Sequence, residues 1–272
     1  MAMLHQALDA ARDGTYRHVV NISGGKDSAA LAVFLVQQYP QIPAEFVFCD
    51  TGVELPETYD YLERLEAILG QEIVCLNSLD LLGMKRKPGR NPFDIWLNEY
   101  YGGYLPNQSA RWCTRVLKIK PFEAYIGSDY AFSYLGIRAD EQRGGYLDKN
   151  KKPPKISEKN NIISVYPFQD DDIGIADVKS LLEANGIGLP EYYKWRSRSG
   201  CFFCFYQQIG EWQGLMEHHP DLFEKAKQYE KLESGSKITW NGGWSLGQIE
   251  TLEKRYAIKN PDGIDGCSMC HM

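Results

Sequence analysis

The chain of 272 residues has no apolar run long enough to cross a bilayer and no signal-peptide pattern. No membrane-spanning helix is expected, and the cytoplasm is the expected compartment. Positive charge is also short: 30 Lys and Arg stand against 36 Asp and Glu, a net charge of −6. No global basic field recruits nucleic acid. Two local basic clusters, Lys85-Arg86-Lys87 with Arg90 and Lys149, Lys151, Lys152 with Lys155, read first as solvated loops. The 7 cysteines are an odd number in a long chain without an export signal. That does not suit a disulfide framework and points to metal or redox use in a reducing compartment. Internal repeats are missing, apart from two Cys-x-x-Cys pairs at Cys201/Cys204 and Cys267/Cys270. The common P-loop is missing too. Val20 occupies the place of its first glycine, and Asp27 follows the lysine where Ser or Thr is required.

What is there begins with Val19-Val20-Asn21-Ile22-Ser23-Gly24-Gly25-Lys26-Asp27-Ser28. A β-branched apolar run ends in a Ser-Gly-Gly turn, and the helix-compatible run Ala29 to Val36 follows at once. Glycines let a backbone approach a ligand closely and adopt positive φ. The first N–H groups of the helix lack partners and sit at its positive dipole end, so the turn suits an anion such as phosphate. Lys26 adds charge, and the hydroxyls of Ser23 and Ser28 can donate.

The remaining chain alternates strand and helix patterns. A helix over Leu4 to Arg12 covers the sheet edge. Strands are expected at Ala44–Cys49, Glu72–Leu76, Ala131–Leu135 and Ile162–Pro167, with a helix from Thr58 to Leu69 whose Tyr61, Leu62, Leu65 and Ile68 share a face. Alternation implies right-handed crossovers and a parallel sheet. The fold class is therefore α/β, a parallel five-stranded sheet flanked by helices. Ligands of such sheets bind beyond the carboxyl ends of the strands, where Ser23 and Asp50 stand. Lys85 to Asn91 reads as a mobile loop over the site, and Phe93 to Tyr104 as a packed, aromatic-rich helix. Gly144 to Pro154 reads as an exposed hairpin or loop. Asp170-Asp171-Asp172 is expected to cap a helix from Ile173 to Asn185. After Gly188 aromatics and cysteines dominate, with helices around Glu211–His218 and Pro220–Glu233. This divides the chain into a nucleotide-binding α/β domain, 1–187, and a smaller helical region, 188–272, with both Cys-x-x-Cys pairs. Cys49 and Cys75, in apolar strands, read as core residues.

Several of these motifs resemble one family. Ser23-Gly24-Gly25-Lys26-Asp27-Ser28 resembles the pyrophosphate loop (PP-loop) of the adenine-nucleotide α-hydrolase-like superfamily, whose members cleave ATP between the α and β phosphates or bind an adenylated substrate. Asp50-Thr51-Gly52 through Pro56-Glu57-Thr58 is similar to the loop that lies beside the nucleotide in the phosphoadenosine phosphosulfate (PAPS) reductase family. Arg111-Trp112-Cys113 before Lys118-Ile119-Lys120-Pro121, and the turn Gly136-Ile137-Arg138-Ala139-Asp140-Glu141, resemble the same family. The resemblance runs from Val19 to Cys204. It implies nucleotide contacts from Ser23, Gly24, Gly25, Lys26, Asp27, Ser28, Asp50, Gly136 and Arg138. Lys26, Asp27 and Arg111 are the expected catalytic residues, with Arg111 pairing bidentately to a phosphate or sulfate. Asp27 has two open roles, positioning Mg²⁺ or orienting Lys26.

The cysteines depart from the family in one place. Its members that reduce adenylyl sulfate (APS) hold a [4Fe–4S] cluster with a Cys-Cys pair before the Lys-x-x-Pro helix and a distant Cys-x-x-Cys. Cys113, Cys201 and Cys204 match three of those ligands, and Trp112 stands where the fourth would be. Three arrangements stay open. Cys267 or Cys270 supplies the fourth ligand; or the cluster has three protein ligands and an open iron, as in some thiolating enzymes; or zinc binds Cys201, Cys204, Cys267 and Cys270. The cluster is preferred to zinc, and a redox dithiol without metal is the remaining reading. The tail Gly266 to His271 is only loosely similar to the Glu-Cys-Gly-Leu-His context of the PAPS reductase nucleophile.

The resemblance implies an enzyme of sulfur metabolism that binds ATP, PAPS or APS. It either reduces PAPS or APS to sulfite or carries out ATP-dependent thiolation. A thiol or sulfur-donor protein is the expected partner. A nucleic-acid acceptor is left open without support from net charge. The reading from another class is a non-catalytic, metal-stabilised module that senses adenine nucleotide.

Overall fold

The computed structural model describes residues 2–141, 156–231, 238–259 and 262. Five strands form one sheet: β1 (Arg17–Ile22), β2 (Ala44–Asp50), β3 (Ile73–Asn77), β4 (Ala131–Tyr134) and β5 (Ile162–Val165). Their order is β3-β2-β1-β4-β5, and every pairing is parallel. The chain winds outward from β1 through β2 to β3, then returns to β4 on the other side of β1. The carboxyl end of β1 is therefore a switch point, where neighbouring connections diverge and leave a crevice.

Alternation along β1 supplies both faces of the sheet. Val20 and Ile22 join a core with the helices α1 (Ala2–Asp13), α2 (Lys26–Gln38) and α3 (Pro56–Leu69). Val19 faces the opposite core with Phe122 and Ile126. Helix α2 is buried from Lys26 to Leu35, which explains why its sequence is apolar all round. Helix α3 starts at Pro56, where a missing N–H costs nothing, and ends at Gly70 in the left-handed region.

Short helices α4 (Ser78–Leu81), α5 (Pro92–Ile95), α6 (Trp112–Thr114) and α7 (Lys120–Ile126) follow β3. Helices α5 and α6 each run into a π-helical turn, Trp96–Tyr100 and Arg115–Ile119. After β5 come α8 (Pro167–Asp170) and α9 (Ile175–Ala184), then α10 (Ile209–His218), α11 (Pro220–Tyr229) and α12 (Leu246–Glu250). A third core joins Leu55, Phe93 and Trp112 to Trp195, Phe203, Trp212 and Trp240, so the last third of the chain packs on the loops of the sheet.

Two expectations are corrected here. Cys75 is exposed, because β3 is an edge strand of the sheet; Cys49, on the interior β2, is buried. The acidic run Asp170-Asp171-Asp172 does not cap α9. Its first N–H groups are taken by Asp177 and Asp140: Asp177 Oδ2 accepts from Gly174 N at 2.9 Å and Asp140 Oδ2 from Ile175 N at 2.9 Å. Asp170 ends α8, and Asp171 accepts from the Tyr39 hydroxyl at 2.7 Å. In the 85–91 segment Arg86 pairs with Asp80 and Lys87 with Glu99, both on the exposed surface. The expected loop 144–154 lies outside the described residues.

Candidate functional site: an anion loop beside a thiol cavity

The loop between β1 and α2 is held by its own side chains. Ser23 N donates to Ser28 Oγ at 3.0 Å, the two hydroxyls lie 3.0 Å apart, and Ser28 Oγ donates to Gly25 O at 3.1 Å. Gly24 has φ of +73°, and a Cβ there would lie 2.5 Å from Thr58 Cγ2. The loop is thus seated against the start of α3, and only glycine fits. No side chain of Gly25 exists to cap α2, so its first amides open into the loop. Lys26 N donates to the Tyr193 hydroxyl at 3.3 Å, and the Tyr192 hydroxyl donates to Gly24 O at 2.6 Å.

Lys26 and Asp27 are buried beneath the loop. Lys26 is 1% exposed; its Nζ lies 3.4 Å from Asp27 Oδ2 and 5.1 Å from the centre of the Tyr193 ring. Arg138 Nη1 reaches both Asp27 oxygens at 2.9 Å, and its Nε donates to Asp140 Oδ1 at 2.9 Å. Burial opposes the guanidinium charge, but Asp27, Asp140 and Glu141 together more than offset it and hold the Arg138 pKa above its ordinary value. Gly136 makes this approach feasible, since a Cβ there would sit 2.8 Å from Asp27 O. Asp27 thus faces two cationic side chains, Lys26 and Arg138.

Asp50 closes its own turn. Its Oδ1 accepts from Gly52 N and from the Tyr59 hydroxyl, both at 2.8 Å. The next residues lead to sulfur. Thr51 Oγ1 donates to Glu54 Oε1 at 2.7 Å and lies 3.5 Å from Cys201 Sγ. Phe202 N donates to Val53 O at 2.9 Å, which docks the Cys201–Cys204 turn onto this loop. Ser199 Oγ donates to Ser23 Oγ at 3.4 Å. The anion loop and the cysteine turn are therefore in direct contact.

Cys113, Cys201 and Cys204 line one small cavity of about 40 Å³, together with Thr51, Lys118 and Arg198. Burial pushes the Cys113 thiol up to about 12 and the Cys201 thiol well above its ordinary value; the Lys118 ammonium draws both down but does not win. The buried Arg196 holds the turn, donating to Gly200 O at 3.2 Å and Cys201 O at 2.9 Å. Among the described residues no three His, Cys, Asp or Glu side chains form a cage around a metal ion. The donor set nevertheless fits a soft-metal cluster in kind: three thiols converge on one cavity beside a cation that favours thiolate. Cys267 and Cys270 lie outside the described residues.

The structure thus joins Ser23 to Ser28, Gly136 and Arg138 in one site, with Asp50 at the next strand end. It brings the three internal cysteines together beside that site. Arg111 stands elsewhere, ahead of α6, where its Nη1 donates to the Tyr206 hydroxyl at 3.3 Å. Sequence reasoning missed Tyr192, Tyr193, Arg196 and Ser199, and named Thr51 only within the loop Asp50 to Thr58, by family resemblance. The Ser199-Gly200 step before Cys201 was a usable signal; nothing local marks the two tyrosines as partners of a loop so far away in sequence.

The chain is similar to several known proteins. An uncharacterized protein of Methanocaldococcus jannaschii is 26% identical over 231 residues, which cover 83% of this chain and 44% of its own length. The tRNA-specific 2-thiouridylase MnmA of Aeromonas salmonicida is 28% identical over 172 residues, 56% of this chain and 45% of its own. The chain spans about half the length of the curated relatives it matches. A crystal structure of PAPS reductase from Candida auris in complex with phosphate aligns with a TM-score of 0.48 at 15% identity, covering 72% of this chain and 86% of that one. The model of the phosphoadenosine phosphosulfate reductase domain matches residues 17–213, from the first strand through the cysteine turn, and the chain belongs to that family.

Proposed function

We propose that this protein is an adenine-nucleotide-dependent enzyme of sulfur chemistry that cleaves ATP to AMP and pyrophosphate and passes sulfur to an acceptor. The observation that carries this reading is the contact between the anion loop and the thiol turn, Ser199 to Ser23 at 3.4 Å. The loop amides and the Ser23 and Ser28 hydroxyls bind the phosphates. An acceptor oxygen attacks the α-phosphorus, the bond to the bridging oxygen breaks, and its electron pair leaves with pyrophosphate. Lys26, held by Asp27, stabilises the charge that develops on the leaving group. Sulfide from a donor protein then adds to the adenylylated carbon, and AMP departs with the electron pair of the C–O bond. A [4Fe–4S] cluster held by Cys113, Cys201 and Cys204 would supply an open iron for sulfide. Lys118 and Arg198, which line the same cavity, favour an anionic sulfur species there. Thiolation is preferred to PAPS reduction because these thiols are built into the folded body, whereas the tail only loosely matches the nucleophile of the reductases.

Purified protein with ATP, Mg²⁺, a sulfide source and an acceptor that carries an amide-type carbonyl oxygen, such as a uracil nucleoside, is expected to yield AMP and pyrophosphate in equal amounts. Lys26→Ala should lower that turnover by about 10²–10³-fold with an unchanged circular dichroism spectrum. Sulfite from PAPS and a thiol donor, without AMP from ATP, would replace thiolation by reduction. No turnover of either nucleotide would leave a binding module.

A further inference from the structure

Beyond the thiol cavity, on the far side of Arg111–Thr114, lies an open groove of about 620 Å³. Its walls include Tyr101, Tyr104, Arg111, Trp112, Thr114 and Arg115, and no carboxylate lines it. Thr114 belongs to both the groove and the thiol cavity. Tyr101 stacks on Trp112 with centroids 4.3 Å apart and planes 13° apart, and Trp112 stacks on Phe93 at 5.3 Å. Trp112 is fixed in that column by its indole N–H, which donates to Tyr104 O at 3.0 Å. Tyr104 is 49% exposed and Tyr100 59%. Arg115 is exposed and makes no ion pair among the described residues. Arg111 reaches Tyr206, over whose ring Arg198 sits at 4.9 Å, so cationic and aromatic groups continue from the groove to the cavity mouth. Both π-helical turns, Trp96–Tyr100 and Arg115–Ile119, adjoin this groove, and such turns are frequent at functional sites.

From this juxtaposition we infer that the groove holds an unpaired polynucleotide strand, which presents the acceptor base to the thiol cavity. The chemistry of recognition is specific. Tyr101, the half-buried outer ring of the column, and the exposed Tyr104 on the same groove offer faces on which bases stack, and two guanidinium groups with no carboxylate in the groove lining bind phosphates. A duplex hides its base faces and cannot use the column. An acidic peptide would use the arginines and leave the rings idle. With a net charge of −6 the chain has no global basic field, so binding draws on local cationic groups such as these. The inference rests on the proposed sulfur transfer for its purpose, but strand binding itself does not require ATP cleavage.

The test is fluorescence anisotropy with labelled, unstructured oligonucleotides of about twenty residues, as RNA, as DNA and as the matching duplex. Both single strands are expected to bind the full chain, and the duplex at least roughly ten-fold more weakly. Tyr104→Ala should weaken single-strand binding by roughly five- to a hundred-fold. Arg115→Ala should reduce the slope of log affinity against log salt by about 0.7. Arg255→Ala, on the exposed pair with Glu217, should change neither. No single-strand binding, equal binding of duplex, or wild-type behaviour of both groove variants would overturn the inference. AMP formation without strand binding removes the groove and keeps the reaction; strand binding without AMP formation does the reverse.

Discussion

His18 shows how a residue beneath the site shapes stability. It is buried on β1, with its Nδ1 2.8 Å from the Tyr134 hydroxyl, while its Nε2 has no hydrogen-bond partner among the described residues. Burial holds its pKa below the ordinary 6.5, although Glu45 pulls the other way. The folded state therefore favours neutral imidazole. Its contribution to stability is fully present above 6.5 and is lost as pH falls from there through the lower folded value. Urea unfolding of the wild type should show a declining midpoint over that acidic window, and His18→Gln should flatten the decline. An unchanged slope would show that other groups carry it. The polar residues of the site were readable in sequence where they form a run, as Ser23 to Ser28 do. Arg138 was readable only through family resemblance, because its partner Asp27 is brought to it by strand pairing. Cys75 was misread because an apolar run does not disclose which strand lies at the sheet edge.

At the scale of elements, the loop and α3 form one fitted pair. Gly24→Ala introduces both a left-handed strain and a clash with the Thr58 methyl. It is expected to weaken nucleotide binding measured by calorimetry by about ten-fold or more, since each 1.4 kcal/mol is one factor of ten. Thr58→Ser removes the methyl and should partly restore binding to the Gly24→Ala variant. Additive loss in the double variant would show that the clash is not the cause. Strand and helix periodicity, with the glycine turn, sufficed to place all five strands and the first three helices. The π-helical turns were not legible, since their side chains suit an ordinary helix and only tertiary packing selects the wider turn. The cap of α9 was misplaced for a related reason: an acidic run suggests a cap by charge, but Asp140, distant in sequence, occupies the amide instead.

For the whole molecule, the region after Gly188 is fastened to the sheet loops by a shared aromatic core. Composition suggested a boundary there, and hydrophobic pattern could not reveal that Trp195, Phe203 and Trp240 fill the space over Phe93 and Trp112. A chain ending at Ile187 would expose Leu55, Phe93 and Trp112. It is expected to bind a hydrophobic dye and to lose a cooperative thermal transition, whereas the complete chain shows one. A sharp transition in the shortened chain would establish two independent folding units.

The phenol of Tyr193 accepts from the amide of Lys26, the first residue of α2. Tyr193 lies three positions before Arg196, the residue that fastens the cysteine turn. One three-residue stretch of backbone thus tethers the start of α2 to the sulfur end of the chain, so the two ends share a single mechanical anchor.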